Sequence, residues 1–299
     1  MAAKKDLLLI ISTTSGKQED IAPKLELLLT SSRRTFKIKL VKKPSEAAEL
    51  VKKYKNQYKT IGIYGGDGTV TAGLKELIDS KAQFLLLPGG TENTIARELG
   101  VSGETEVILN NYLKGLFTTE QFDIAMVNNK PLAFNMHFGL LTDAIKETPR
   151  ASKKRFGAVA YAIAALKQLP QTTSEQYILE IKGKLKKLKG YGMFVSNSGE
   201  QSFLGIRLFP KSHKPGYVQV AIAKKLSPPR VILWTLGRLL HMGNLGGVIK
   251  IYRAQQLRII QAPSERYFDD EITTTDLPLH VRGGQKSVAV IVPKNKNST

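Results

Sequence analysis

The most informative part of this chain is the stretch Ile61-Gly62-Ile63-Tyr64-Gly65-Gly66-Asp67-Gly68-Thr69. An apolar run ends in glycines, an aspartate and a threonine, and the next residues have helical spacing. Glycine lets the backbone turn tightly between a strand and a helix, and it brings N–H groups close to an anion. The stretch therefore predicts a strand-to-helix loop that binds a phosphate group. A plain glycine-rich turn with an aspartate at the start of the helix is the alternative interpretation.

Asp67 adds a second expectation to this loop. A carboxylate beside a phosphate is repelled by it unless a cation lies between the two groups. Mg²⁺ is commonly held in this way, by one or two carboxylates together with phosphate oxygens. We therefore predict that Asp67 holds a metal ion and does not bind the phosphate itself.

Two further glycine-bearing turns follow predicted strands. Leu87-Pro88-Gly89-Gly90-Thr91-Glu92-Asn93 ends one strand, and Thr13-Thr14-Ser15-Gly16-Lys17 ends the first strand of the chain. In a parallel sheet all three turns lie at the carboxyl edge, where open α/β folds bind their ligands. Neither a GxGxxG nor a GxxxxGK[ST] pattern is present, which excludes a standard Rossmann fingerprint and a P-loop.

The pattern of the whole chain predicts two domains. Residues 1–122 alternate strand and helix, which is typical of a doubly wound parallel α/β sheet domain. Residues 123–299 predict an antiparallel β-sandwich domain, in which the extreme C-terminus packs back on the first domain. Its predicted strands are at 122–127, 132–137, 177–182, 191–196, 217–222, 257–261, 279–282 and 287–292, and its predicted helices are at 156–169 and 228–242.

Composition narrows the class of protein. There is no cysteine, which excludes disulfides, and the four histidines lie at no metal-ligand spacing. No apolar run is long enough for a membrane-spanning helix, and the first residues do not form a signal peptide, so we expect a cytoplasmic protein. The 45 Lys and Arg exceed the 25 Asp and Glu by a net charge of +20, which fits a nucleic acid, an anionic membrane or a phosphorylated ligand. The segment Ser152-Lys153-Lys154-Arg155 before an apolar helix fits docking on anionic head groups, and an ordinary buried helix with a charged first turn fits it equally well.

The paired loops at 65–69 and 88–93 resemble the diacylglycerol kinase catalytic-domain family, which contains bacterial diacylglycerol and related lipid kinases and resembles the sphingosine kinases. The similarity extends along nearly the whole chain. It includes Phe122-Asp123-Ile124, Phe134-Asn135, Lys154-Arg155-Phe156-Gly157 with Ala160-Tyr161, and Asp269-Asp270-Glu271. The resemblance implies an ATP-dependent lipid kinase that transfers the γ-phosphate to a hydroxyl of a membrane lipid such as diacylglycerol.

The same resemblance implies roles for individual residues. ATP and Mg²⁺ are the expected cofactors, Asp67 and Asp123 are the expected metal ligands, and Asp269 is the expected general base with Glu271 beside it. The expected partners are a lipid substrate and the anionic inner face of the membrane, with a homodimer left open and no nucleic acid. The residues expected to line the nucleotide are Ser15, Gly16, Gly65, Gly66, Asp67, Gly68, Thr69, Gly90, Thr91 and Asn93.

Departures from the family pattern keep two alternatives open. Ser12 and Thr13 replace the usual Asn-Pro of the first turn, and the helix after the 65–69 loop lacks the usual glutamate, since Thr71-Ala72-Gly73 stands there. One alternative is therefore a catalytically degenerate regulator that binds a nucleotide or a membrane. The other is a small-molecule kinase similar to NAD kinases, which share the Gly-Gly-Asp-Gly loop.

Overall fold

The computed structural model divides the chain into two units, residues 1–124 with 286–299, and residues 125–285. The structure describes residues 4–15, 21–90, 93–139, 173–197, 202–203, 206–207, 215–224, 227, 229–230, 233–234, 237, 245–263, 265–269, 271–274 and 276–294.

The first unit alternates strands and helices, as its sequence pattern predicts. Its elements are β1 (Lys5–Ser12), α1 (Ala22–Ser31), β2 (Phe36–Val41), α2 (Pro44–Tyr54), β3 (Tyr58–Gly65), α3 (Asp67–Glu76), β4 (Gln83–Pro88), α4 (Thr94–Glu98) and α5 (Thr105–Leu113). Strand β5 (Phe117–Val127) runs from this unit into the second. The predicted parallel α/β sheet is confirmed, with strand order β2-β1-β3-β4.

Helices cover both faces of this sheet. Tyr112 of α5 donates a hydrogen bond from its hydroxyl to Thr60 Oγ1 at 3.0 Å. Gly73 of α3 packs instead against Ile63. The side chain of Ile63 fills the space that a Cβ of residue 73 would need. Since side chains alternate along a strand, Thr60 and Ile63 point to opposite faces. The sheet is therefore doubly wound, and its strands β1, β3 and β4 are mostly apolar because both of their faces are buried.

The second unit consists of antiparallel strands. Its elements are β6 (Lys130–Leu132), β7 (Asn135–Gly139), β8 (Glu175–Ile181), β9 (Lys184–Gly190), β10 (Gly192–Ser196), β11 (Ser202–Phe203), β12 (Ile206–Arg207), β13 (Val218–Ala223), β14 (Ile249–Ala254), β15 (Gln256–Gln261), β16 (Glu265–Phe268), β17 (Glu271–Thr274) and β18 (Leu279–Pro293). One sheet has the order β14-β13-β10-β7-β16-β17, and in the other β18, β15, β8 and β9 are neighbours in that order.

One apolar core lies between these two sheets. Phe138 and Val220 from the first sheet and Tyr177 and Ile259 from the second are fully buried members of it. Alternate residues of each strand point into the core, as the two-residue period of the sequence predicts. The predicted β-sandwich is confirmed for this unit.

Several boundaries differ from the sequence-based expectations. Strand β18 is continuous, whereas we predicted separate strands on either side of Gly283-Gly284. Helix α2 begins at Pro44, and Glu46 Oε2 accepts the backbone N–H of Lys42 at 2.7 Å. Strands β9, β11, β12, β14, β16 and β17 were not predicted. The predicted helix at 156–169 and most of that at 228–242 lie outside the described residues.

The C-terminal part of β18 belongs to the first unit. Val290 pairs with Phe84, and Ile291 pairs with Leu85, so β18 lies parallel to β4. The end of the chain therefore adds a strand to the sheet that its beginning forms. Within the described residues, no helix is long and apolar enough to cross a membrane.

Candidate active site

The two glycine loops of the first unit lie against each other at the carboxyl edge of the parallel sheet. Gly89 donates its backbone N–H to the carbonyl of Gly65 at 2.9 Å, which continues the pairing of β3 with β4 into the loops. A Cβ atom placed on Gly90 would lie 2.7 Å from the Cα of Gly66, closer than two such atoms approach. Glycine at position 90 is thus required by the close contact of two backbones.

Asp67 connects the loops through its carboxylate. It is the first residue of α3, and its Oδ2 accepts the backbone N–H of Thr94 at 3.1 Å while its Oδ1 accepts that of Ile95 at 3.2 Å. Both of these N–H groups belong to the first turn of α4, where they have no carbonyl partner within the helix. Asp67 therefore fixes the second loop and its helix to the first.

Asn93 fixes the second loop from within. Its backbone has a φ of 45°, in the left-handed region that asparagine tolerates better than most residues. Its side-chain Oδ1 accepts the N–H of Gly90 at 2.8 Å, and its Nδ2 donates to the carbonyl of Gly90 at 2.9 Å. These two hydrogen bonds close the turn between Gly90 and Asn93.

The turn after β1 contacts the first loop through Ser15. Its Oγ accepts the backbone N–H of Gly66 at 3.2 Å and donates to Ser12 Oγ at 2.9 Å. The neighbouring Thr14 donates its hydroxyl to the carbonyl of Lys42 at 3.1 Å, which anchors the turn on the end of β2. All three glycine-bearing turns thus meet at one edge, as predicted.

These bonds change the interpretation of two predicted nucleotide contacts. The N–H groups of Gly66 and Gly90 already have side-chain acceptors, namely Ser15 and Asn93. Glycine at position 90 therefore allows the loops to approach each other, and both of these N–H groups are already donated to protein acceptors. The linking roles of Asp67 and Asn93 were not predicted, because they depend on contacts across 27 residues and on backbone geometry that the sequence does not show.

The remaining predicted residues of the first unit occupy the same region or a neighbouring strand. Thr69 is buried and packs over Gly65, where a Cβ would lie 3.0 Å from the Cβ of Thr69. Gly68 lies in the first turn of α3. Asp123 lies half-buried on β5 and not on either glycine loop. Gly16 and Thr91 lie outside the described residues.

The carboxylate at the loops suits Mg²⁺ bound together with a nucleotide better than a metal site in which protein side chains supply all the ligands. Among the described residues, no group of three or more His, Cys, Asp or Glu side chains could hold a metal ion. Mg²⁺ commonly takes one or two carboxylates, with water and substrate phosphates as its other ligands. Asp67 retains the second lone pair of each carboxylate oxygen beside its two N–H bonds. It can therefore supply one such ligand.

Asp269 lies in the second unit, in the turn between β16 and β17. Its side chain is 6% exposed and its φ is 43°. The Oδ2 accepts the N–H of Ala133 at 2.8 Å, and the Oδ1 accepts those of Phe134 and Asn135 at 2.9 and 3.1 Å. Its own N–H donates to the carbonyl of Asn135 at 2.9 Å. The carboxylate is thus the anchor of the segment that leads into β7.

Asn197 completes this anchor from the other side. It is buried, its Nδ2 donates to the carbonyl of Ala133 at 3.1 Å, and its N–H donates to the carbonyl of Phe134 at 2.9 Å. The general-base role of Asp269 stays a prediction, and the described geometry gives this residue a structural role. Glu271 lies on β17 opposite Phe268, and its side chain lies outside the described part of the chain.

Comparisons with known proteins agree with this architecture. The family model of the diacylglycerol kinase catalytic domain matches residues 6–127. A Streptococcus pneumoniae protein named as a candidate lipid kinase is 25% identical over 229 residues, which cover 75% of this chain and 76% of that protein. A diacylglycerol kinase of Bacillus subtilis is 27% identical over 128 residues, which cover 40% of each chain.

Solved structures share the fold over the full length. A candidate diacylglycerol kinase from Bacillus anthracis has a TM-score of 0.78 at 18% identity and covers 100% of this chain and 98% of its own. A diacylglycerol kinase structure from the same organism has a TM-score of 0.70 at 17% identity, with 100% of both chains covered. Identities this low show the fold alone. The match over residues 6–127, together with the named relatives, confirms the resemblance to the diacylglycerol kinase catalytic-domain family.

Proposed function

We propose that the protein is an ATP-dependent lipid kinase that transfers the γ-phosphate to a hydroxyl of a membrane lipid such as diacylglycerol. The observation that carries the proposal is the locked pair of glycine loops, with the Gly66 and Gly90 backbones in contact, inside the segment that matches the catalytic-domain family. Phosphoryl transfer depends mainly on positioning and on neutralising charge, and rigid loops at the end of a parallel sheet serve both requirements.

Each loop has its own part in this proposal. The proposed nucleotide contacts are Ser15, Gly16 and Gly65 to Thr69 on one side, and Gly90, Thr91 and Asn93 on the other. Asp67 keeps the two sides at a fixed distance through its bonds to Thr94 and Ile95. Since the phosphates are multiply charged, a rigid site avoids the cost of reorganising its dipoles during transfer.

Mg²⁺ would neutralise the phosphate charge when bound, with Asp67 and Asp123 as its protein ligands, directly or through water. Asp269, with Glu271, is the proposed acceptor of the proton from the lipid hydroxyl. This last role requires a free lone pair on a carboxylate that already accepts three backbone N–H bonds.

A specific observation keeps the degenerate regulator as a second candidate. The carboxylates of Asp67 and Asp269 are both engaged by backbone N–H groups, so each has a structural reason to be retained without catalysis. A protein that only binds a nucleotide or a membrane would need the same two anchors.

The test is an assay with Mg²⁺, γ-labelled ATP and vesicles that contain diacylglycerol, phosphatidylglycerol or an isoprenoid alcohol. We expect a labelled, organic-soluble product, which Asp67→Asn reduces by at least 100-fold. Asp276→Asn, which changes an exposed carboxylate, is the matched control. ATP binding without a labelled lipid would favour the regulator, and labelled NAD in the aqueous phase would favour the small-molecule kinase.

A further inference from the structure

The solvent-facing side of the sheet β18-β15-β8-β9 in the second unit is strongly basic. Its inward side is fixed by Tyr177, Leu179, Leu257 and Val281, which are buried in the core. By the alternation of side chains, their neighbours point to solvent. The exposed cations of this side, named the basic face from here on, are Lys187, Lys189, Arg258 and Arg282.

The acids do not balance these charges. On the solvent-facing side of these four strands, the described carboxylate is that of Glu180, whose Oε2 accepts a bond from Arg258 Nη1 at 2.9 Å. Lys182 adds a further exposed cation at the turn between β8 and β9. His280 lies on the same side, next to Arg258 in the strand pairing. The basic face thus keeps a net positive charge after its one ion pair.

Protection of an edge strand explains only part of this pattern. In the described sheet β9 is an outer strand, and natural proteins often place lysines on edge strands to prevent pairing with other chains. Arg258 and Arg282 lie on β15 and β18, which have neighbours on both sides, so they protect no edge. Because the charge continues across inner strands, it suits a binding surface.

Apolar side chains lie among the cations. Leu185 is 59% exposed and faces Glu180 across the strand pair, and the half-buried Ile178 faces Lys187. A flat face of four strands is about 15 Å wide at ~4.8 Å per strand, which is wide enough to contact several lipid head groups. Lysine side chains can extend their charge to head groups while their methylenes and a leucine contact the layer below.

We propose that the basic face docks the protein on an anionic lipid bilayer. The choice of a bilayer rests on the proposed function, since a lipid substrate must be reached at a membrane. A nucleic acid fits less well, because the described residues of this face include no Phe, Tyr or Trp side chain on which a base could stack, and they expose Leu185. Dispersed lysines and an apolar residue match the mixed charge and hydrocarbon of a membrane interface.

The experiment measures sedimentation of the full chain with vesicles, in the absence of ATP. Vesicles of phosphatidylcholine with 40 mol% phosphatidylglycerol are compared with pure phosphatidylcholine at low and at about 150 mM salt, where the Debye length is ~8 Å. We expect binding only to the anionic vesicles and weaker binding at the higher salt. Because each basic residue near an anionic surface contributes about fivefold in affinity, Lys187→Gln/Lys189→Gln/Arg282→Gln should weaken binding by about 100-fold.

The matched control removes the same charge elsewhere. Lys37→Gln/Lys39→Gln/Lys52→Gln changes three lysines of the first unit, two of them on β2, which is also an outer strand of the described sheet. We expect the control to bind vesicles within about threefold of the unchanged protein, since its lysines lie outside the basic face. Equal losses in both triple variants, or binding that ignores the anionic lipid, would overturn the proposal.

Two further readouts separate this proposal from others. If the basic-face variant loses affinity for a DNA duplex while vesicle binding is unchanged, the face binds nucleic acid and the proposal is wrong. Activity on diacylglycerol in detergent micelles tests the proposed kinase separately. A basic-face variant that keeps micelle activity but loses vesicle binding supports the docking role, and vesicle binding by an inactive protein would refute only the kinase.

Discussion

The Asp269 carboxylate accepts hydrogen bonds from three backbone N–H groups. We therefore expect this side chain to contribute measurably to the free energy of unfolding. The positive φ at this position suits asparagine as well as aspartate, so the Asp269→Asn change leaves the backbone unstrained. After this substitution, the side-chain NH₂ group would face a backbone N–H group. Because both groups are donors, at least one hydrogen bond of the carboxylate would be lost. We expect a loss of about 2–3 kcal/mol in the free energy of unfolding, measured by chemical denaturation.

The Asp276→Asn variant is the control for this measurement, since Asp276 is exposed. An Asp269→Asn protein of unchanged stability that has lost its activity would contradict the anchor as the main role. It would support the general-base prediction instead.

His137 provides a pH-dependent contribution to stability. Burial lowers its pKa from 6.5 to about 3, and its ring stacks on Phe194 with centroids 5.3 Å apart. Between these two pH values the unfolded chain binds the proton and the folded chain does not. This contribution is therefore complete above pH 6.5 and decreases as the pH falls towards 3.

We expect His137→Phe to remove this part of the pH dependence. Between pH 6.5 and pH 5, the free energy of unfolding of the variant should fall by about 2 kcal/mol less than that of the unchanged protein. Denaturation curves at the two pH values measure this difference. His280→Gln, which changes an exposed histidine, should keep the full decrease, and an equal decrease in all three proteins would contradict the assignment to His137.

At the scale of elements, the contact between the two loops gives an asymmetric prediction for two glycines. A Cβ on Gly90 would lie 2.7 Å from the Gly66 backbone, whereas one on Gly66 would lie 3.6 Å from Gly90, an ordinary contact. Gly90→Ala should therefore lower the free energy of unfolding by about 2 kcal/mol and weaken nucleotide binding, while Gly66→Ala should change stability by less than about 1 kcal/mol. Denaturation and nucleotide titration measure both effects, and equal destabilisation would show that the backbone contact is not the cause.

The sequence predicted some helices and strands of this protein better than others. The apolar strands β1, β3 and β4 and the glycine loops after them were predicted because each feature is local in the chain. The lysine-rich strand β9 was missed because its lysines obscure the alternation, although its half-buried Leu188 packs on the core. The bonds from Asp67 to α4 and from Asp269 to residues 133–135 were missed because they connect distant segments.

The C-terminal part of β18 joins the two ends of the described chain, because it adds a strand to the sheet of the first unit. Residues 286–293 of β18 belong to the first unit, where Val290 and Ile291 pair with β4 and Lys286 Nζ donates to Asp79 Oδ2 at 2.6 Å. A chain that ends at residue 285 would leave β4 without this neighbour and would expose Phe84 and Leu85. We expect such a chain to aggregate or to be digested rapidly by protease, and addition of a peptide of residues 286–299 should partly restore resistance. Equal protease resistance of the shortened and full chains would contradict this expectation.

The position of that strand also has a consequence for synthesis. The ribosome makes β4 about 200 residues before it makes the part of β18 that pairs with the other edge of β4. During translation the sheet that carries the glycine loops therefore remains open at one edge, however early β1 to β4 associate. Only a chain translated past Ile291 can close that edge, so the sheet that carries the glycine loops is completed after β5 to β17 have been synthesised.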